Sequence, residues 1–247
     1  MVRLGVIGKP SDWLIASVYD ADTIRQVMDI ELVDIPIEEV TSLGRVDGGE
    51  EGANRIYERL KEIIKQYKLS GLTLRCFDLL TTVYNTGCLA LARLNAEGIP
   101  AACEGDVPAL LTMMLAKQMS GFTGFQVNAA RIEDGEGDTC RILFAHCTVP
   151  LNMVDKYEYT THFESGIGIG IHGELPLGDY TLMKVSGKMD AIFAADVRLI
   201  ANQYEEGLCR TQVWVEADKG VAEYLLNNPI ANHHLLVPGH HSEKLNI

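Results

Sequence analysis

Glu104 is the residue whose surroundings best suit chemistry. It lies in Ala101-Ala102-Cys103-Glu104-Gly105-Asp106-Val107-Pro108, where an apolar strand gives way to an apolar helix. Ligands of open α/β sheets collect at the carboxyl ends of strands. A carboxylate there stays ionised, because the N-terminus of the next helix favours negative charge. In that state it can ligate a cation or serve as a general base. The competing reading is that Glu104 and Asp106 only cap the helix. It suits Asp106, which stands at the cap position, better than Glu104, which precedes it.

All seven histidines lie beyond residue 120, at 146, 162, 172, 233, 234, 240 and 241. Phe125 to Ile132 and Arg141 to His146 flank a turn-rich segment and predict a hairpin folded about Gly135 and Glu136. That register sets Asn128 opposite Phe144, with His146 diagonally across on the same face. Asn232-His233-His234 adds two imidazoles. Neighbouring residues of a strand face opposite ways, so one of the pair can enter a site. Neutral imidazole is a common ligand of transition metals. His240 and His241 read as solvated bystanders. Arg75 ends the apolar run Leu72 to Phe77 and needs either a substrate oxygen or an internal carboxylate as partner. His162 and Glu164 could line the same cleft or simply face solvent.

Gly168-Ile169-Gly170-Ile171-His172-Gly173 matches a dinucleotide-binding fingerprint only in letters. That motif must open a helix, and Glu174-Leu175-Pro176 cannot. The alternation of Gly and Ile from Gly166 to His172 describes instead a strand with one bare face, which another backbone or a ligand can approach closely.

These residues need two kinds of scaffold. Up to about residue 120, strand and helix signals alternate: strands at Val2–Ile7, Glu31–Ile37, Leu72–Phe77 and Ile99–Cys103; helices at Thr23–Met28 (capped by Asp22), Arg55–Tyr67, after Phe77 through Ala92, and Val107–Met119. Such alternation predicts a parallel sheet with covering helices. From 121 to 247 the helix signal fades, and Tyr180–Val185 and Cys209–Glu216 add strand patterns. The expectation is an α/β, Rossmann-like domain over 1–120 and an antiparallel, barrel-like β-domain over 121–247, with the site between them.

Composition narrows the partners. Of 247 residues 47% are apolar, enough for a sizeable core, and the formal net charge is −13. Nucleic acid and anionic membrane both call for a basic surface, so neither is an expected partner. No run of about 18 apolar residues is present to span a membrane. The six cysteines show no CxxC spacing and read as buried thiols of a reducing compartment, so the expected location is cytoplasmic.

Six stretches in order, Gly71–Phe77, Cys103–Asp106, Ala145–Pro150, His162–Gly166, Leu208–Gln212 and Asn232–His234, resemble the L-fucose isomerase and L-arabinose isomerase superfamily, especially its fucose isomerase-like members. The resemblance implies a metal-dependent aldose–ketose isomerase acting on a small sugar through an enediol. It also implies a divalent metal, usually manganese, and a homo-oligomer, trimer or hexamer. By the same resemblance the metal ligands fall at Glu104, Asn128, His146 and His234, the last favoured over His233. Glu104 is also the catalytic carboxylate; Arg75, His233 and Glu164 are left for substrate. Asn128 departs from the pattern, since the family has a carboxylate there and an amide carries no charge. The family's additional N-terminal α/β domain also has no counterpart in this sequence. Both departures leave room for a non-catalytic sugar-binding or regulatory homologue, or a subunit or fragment of a larger isomerase.

Overall fold

The structure is a computed structural model and describes residues 1–245. Its first half holds four parallel strands, β1 (Val2–Ile7), β2 (Ile30–Ile35), β3 (Gly71–Leu74) and β4 (Ala101–Ala102), in the order β2-β1-β3-β4. The helices between and after them are α1 (Ala21–Met28), α2 (Glu38–Thr41), α3 (Glu50–Tyr67), α4 (Leu79–Thr82), α5 (Cys88–Ala96) and α6 (Val107–Ser120). The second half has strands β5 (Phe125–Asp134), β6 (Thr139–His146), β7 (Lys156–Thr160), β8 (Gly170–Glu174), β9 (Gly178–Val185), β10 (Ile192–Gln203), β11 (Thr211–Asp218) and β12 (His234–Pro238). Helix α7 (Lys219–Asn227) follows β11. Six of these strands close into an antiparallel barrel, β10-β11-β6-β5-β12-β9, while β7 and β8 pair separately. The expected class, a parallel α/β unit followed by an antiparallel barrel, is present.

Helix α6 joins the two units. Its sequence is apolar on nearly every face, as befits a helix covered all round. One core cluster contains Leu4 and Val6 of β1, Leu110 and Leu111 of α6, and Met183, Leu235 and Val237 on the outside of the barrel. Phe125, Val127, Ile142 and Phe144 fill a separate cluster inside the barrel. Removing a buried leucine from α6 would cost about 2–5 kcal/mol. The carboxylates at its head are thereby held rigidly against the barrel.

Several local expectations are corrected. Helix α1 is capped by Asp20, whose carboxylate accepts from the Asp22 and Thr23 amides at 3.1 and 3.2 Å, not by Asp22. The helix expected from Phe77 through Ala92 is split between α4 and α5. Asn85 ties the break to the carbonyls of Asp47 and Gly49 at 2.7 and 3.2 Å. A Cβ on Gly87 would stand 2.9 Å from Leu74. The strand expected from Gly166 starts only at Gly170, because Gly166 and Gly168 have φ of 67° and 64°. Their bareness does admit a neighbouring backbone, since a Cβ on Gly168 would lie 2.8 Å from the Thr86 nitrogen. The dinucleotide fingerprint opens no helix: Gly170 to Gly173 lie in β8, and Gly168 and Ile169 precede it. All six cysteines are free thiols, five of them buried.

The β5–β6 hairpin turns on four residues, Gly135 to Asp138, rather than two. Lengthening a turn by two keeps the faces matched, but a bulge between Ala129 and Arg131 then shifts the register by one. Asn128 therefore faces Ala145, not Phe144. A one-residue slip moves a side chain to the other face. Asn128 thus shares a face with Gln126 and lies on the opposite side of the hairpin from His146.

Candidate functional site

Glu104 occupies a backbone conformation that non-glycine residues rarely adopt, with φ of 63°. Holding it there costs about 1–3 kcal/mol and requires surrounding structure to enforce it. Gly105 follows with φ of 67°, and a Cβ there would lie 2.7 Å from the Lys9 carbonyl. The Gly105 amide donates to Leu74 O at 3.0 Å, and Gly105 O accepts from the Ser11 amide at 3.1 Å. This tight double turn, at the carboxyl ends of β3 and β4, aims Glu104 at the barrel. The barrel meets it through Gln126, whose Oε1 accepts from the Cys103 amide at 2.9 Å.

Two imidazoles converge on the carboxylate. Glu104 Oε1 lies 3.7 Å from Nε2 of His146, the last residue of β6, and 3.5 Å from Nε2 of His233, the residue before β12. The two rings meet edge to face at 5.2 Å between centroids. Glu104 Oε2 instead accepts from the Trp13 indole N–H at 3.2 Å. Burial pushes the Glu104 carboxyl up, but the adjacent His146 and His233 outweigh it and hold the group well below the usual carboxylate range.

Each imidazole is oriented from behind. His146 Nδ1 is 3.0 Å from the Thr148 hydroxyl, and His233 Nδ1 is 2.8 Å from Asp106 Oδ2. Asp106 also caps α6, its Oδ1 accepting from the Ala109 amide at 2.7 Å. Lys184, on β9 and fully buried, sits 3.5 Å from both Asp106 oxygens. Burial raises the Asp106 carboxyl, yet Lys184 and His233 together lower it below its ordinary value. Burial also works against charge on His233, but Asp106 and Glu104 prevail, and it is pushed up to about 9.

Glu104, His146 and His233 form a group whose ligand atoms all lie within 4.8 Å of one another. Atoms bound at about 2.1 Å to one ion stand no more than about 4.2 Å apart, so the 3.5 and 3.7 Å separations suit a shared cation. His233 Nε2 is a buried nitrogen without a hydrogen-bond partner among the described residues. In the neutral imidazole the Asp106–His233 contact fixes the tautomer with its lone pair on this atom, as outer carboxylates do for metal-binding histidines. The donor set therefore fits a divalent metal.

The other sequence-derived candidates have partners of their own. His234, expected as ligand, turns into the barrel, where its Nε2 meets the Tyr224 hydroxyl at 2.9 Å and Phe193 lies against it. Burial, aided by Lys184, pulls His234 down to about 3. His233, expected beside substrate, instead joins Glu104 and His146 in the cluster that could hold a cation. The Asn128 Oδ1 accepts from Asn232 at 2.8 Å. Arg75 is engaged by Asp12 at 3.1 Å, Asp78 at 3.4 Å and Pro10 O at 2.9 Å. Glu164 is half exposed and lies 3.8 Å from His162. His240 is exposed beside Asp179.

Asp106, expected only as a cap, also orients His233. Trp13, Thr148 and Lys184 join the site only through the three-dimensional structure. Lys184 alone carried a signal, a charge inside the apolar strand Tyr180–Val185.

No family model matches the chain. Over 151 residues it is 26% identical to a sulfoquinovose isomerase of Clostridium sp. (strain MSTE9), a stretch that is 56% of this chain and 32% of the relative. The chain thus covers about a third of that relative's length.

Proposed function

We propose that this chain carries a metal-dependent aldose–ketose isomerase site for a small sugar. The observation that carries the reading is the convergence of Glu104, His146 and His233, with the buried His233 Nε2 given no hydrogen-bond partner by the described residues. The likeness to a sugar isomerase supports the reaction class. By the sequence resemblance the cation is manganese and the assembly a homo-oligomer.

Glu104, His146 and His233 would hold the cation. When bound, a divalent cation supplies positive charge that polarises neighbouring hydroxyl and carbonyl oxygens of the sugar. Glu104 divides its oxygens between two tasks. Oε1 faces the imidazoles, whereas Oε2 faces Trp13 and the outside. Oε2 is the atom placed to accept a proton from one sugar carbon and return it to the next. A single base serving both carbons suits an enediol route and asks for no second carboxylate. Asp106 and Lys184 keep His233 oriented throughout.

The amide at Asn128 favours a second reading, a sugar-binding or regulatory homologue without turnover, or part of a larger isomerase. Incubating the purified chain with Mn2+ and a panel of neutral and sulfonated aldoses, and following ketose by NMR, separates the two. Ketose appearing only with Mn2+ supports the isomerase. Saturable sugar binding without ketose supports the second reading. An absence of Mn2+ binding removes the basis of the first.

A further inference from the structure

We propose that Trp13 is a positioning residue for Glu104, and that Arg75 acts on the site through it. The proposal rests on the metal-site reading above and adds to it a segment, Pro10 to Ser17, that the ligand set does not include. Trp13 Nε1 is 3.2 Å from Glu104 Oε2. Indole N–H is a donor only, so this contact can hold the carboxylate without accepting anything from it. A neutral donor also leaves the charge of Glu104 intact for a cation, which a lysine or arginine in its place would offset.

Arg75 lies behind the indole, its guanidinium carbon 4.4 Å from the ring centroid. A cation over an aromatic face draws on the electron density of the ring, and the N–H becomes a stronger donor. Asp12, Asp78 and the Pro10 carbonyl fasten Arg75 in that place, away from Glu104. Phe77 also meets the indole edge to face at 5.8 Å, and His162 meets Phe77 at 6.1 Å. The segment is itself pinned. The Leu14 amide donates to Ser11 Oγ at 3.3 Å, and Ser17 Oγ donates to Ser11 O at 3.0 Å. The Ser11 amide is tied to Gly105, so segment and carboxylate turn are one unit. Trp13 is nonetheless 42% exposed, more than a residue held by core packing would be. Its specific contacts are with Glu104, Arg75 and Phe77, and together these make an aromatic wall beside the outer oxygen of Glu104.

The test compares wild type, Trp13→Phe and Glu104→Gln as full chains. With only two tryptophans, 13 and 214, the two indole N–H resonances are assigned by losing one in Trp13→Phe. In metal-free protein, Glu104→Gln is expected to move the Trp13 resonance and leave that of Trp214 in place. An unmoved Trp13 resonance overturns the proposal whether or not the chain is an isomerase. Trp13→Phe keeps a ring and removes the donor. It is expected to weaken Mn2+ binding roughly 10-fold, as loss of an outer contact to a metal ligand does. The thermal midpoint should stay unchanged. Mn2+ affinity within twofold of wild type also overturns the proposal. A wild-type chain that binds no Mn2+ defeats the isomerase reading, and the indole resonance then decides alone whether Trp13 holds Glu104.

Discussion

Glu104 and His233 meet at 3.5 Å but reach that point by different routes. Glu104 comes from the α/β unit, on a turn set by its immediate neighbours: a strand end, Gly105 in a left-handed conformation, and Asp106 capping α6. His233 comes from the barrel, and its direction depends on which residue of Asn232-His233-His234 enters the strand first. That is a matter of register between segments distant in sequence, with Val127 paired to His234 across the sheet. The α/β unit thus contributes charge positioned by local geometry, and the barrel contributes imidazoles positioned by long-range pairing. Changes of chemistry should act through the first, and changes of register through the second.

The largest effect is expected where the two units are bridged by charge. Lys184→Met takes one of two cationic partners from buried Asp106 and leaves it His233, so the cost should approach the ~3–5 kcal/mol of a broken buried pair. Urea unfolding of the metal-free chain measures this. A loss below 1 kcal/mol would show that the units do not depend on the bridge.

The next contrast lies within the barrel. His233→Ala should weaken Mn2+ binding by more than the ~10–100-fold that outer-shell changes cost, whereas His234→Ala should change it little. Equal losses would contradict a β12 register that sends His233, and not His234, to Glu104. The same residue gives a pH signature. Cation and proton compete for His233 Nε2, so Mn2+ affinity should rise with pH until about 9 and then level off. Its raised pKa also contributes stability to the metal-free chain below the ordinary imidazole range, lost as pH climbs through about 9.

Asn128→Asp tests whether the Gln126 face of β5 still serves the site. An added carboxylate there should tighten Mn2+ binding by roughly 10-fold, in line with the dependence of cation affinity on ligand charge. No change in calorimetric titration would place Asn128 outside the site. The smallest effect belongs to the α/β unit remote from the site. Asp20→Ala removes the α1 cap and should cost about 1 kcal/mol in urea unfolding, with Mn2+ affinity untouched.

The same division explains what could be read in the sequence. The alternating elements of the α/β unit, the Glu104 junction and the Asp106 cap are local, and each appears in a few consecutive residues. The barrel strands were partly legible, but β10 and β12 were not, because their pairing rather than their pattern makes them strands. The hairpin placed His146 near the site yet misplaced Asn128, since neither the four-residue turn nor the bulge at Ala129–Arg131 is marked by a distinctive residue. His233 and His234 are indistinguishable until the barrel closes. Trp13 became visible only when its loop was seen to lie against the Glu104 turn.

Crystals grown with Mn2+ and measured at the manganese absorption edge test the central claim most directly. An anomalous peak is expected within coordination distance of Glu104 Oε1, His146 Nε2 and His233 Nε2. A peak beside His234, or full Mn2+ occupancy elsewhere with none among those three atoms, would contradict it.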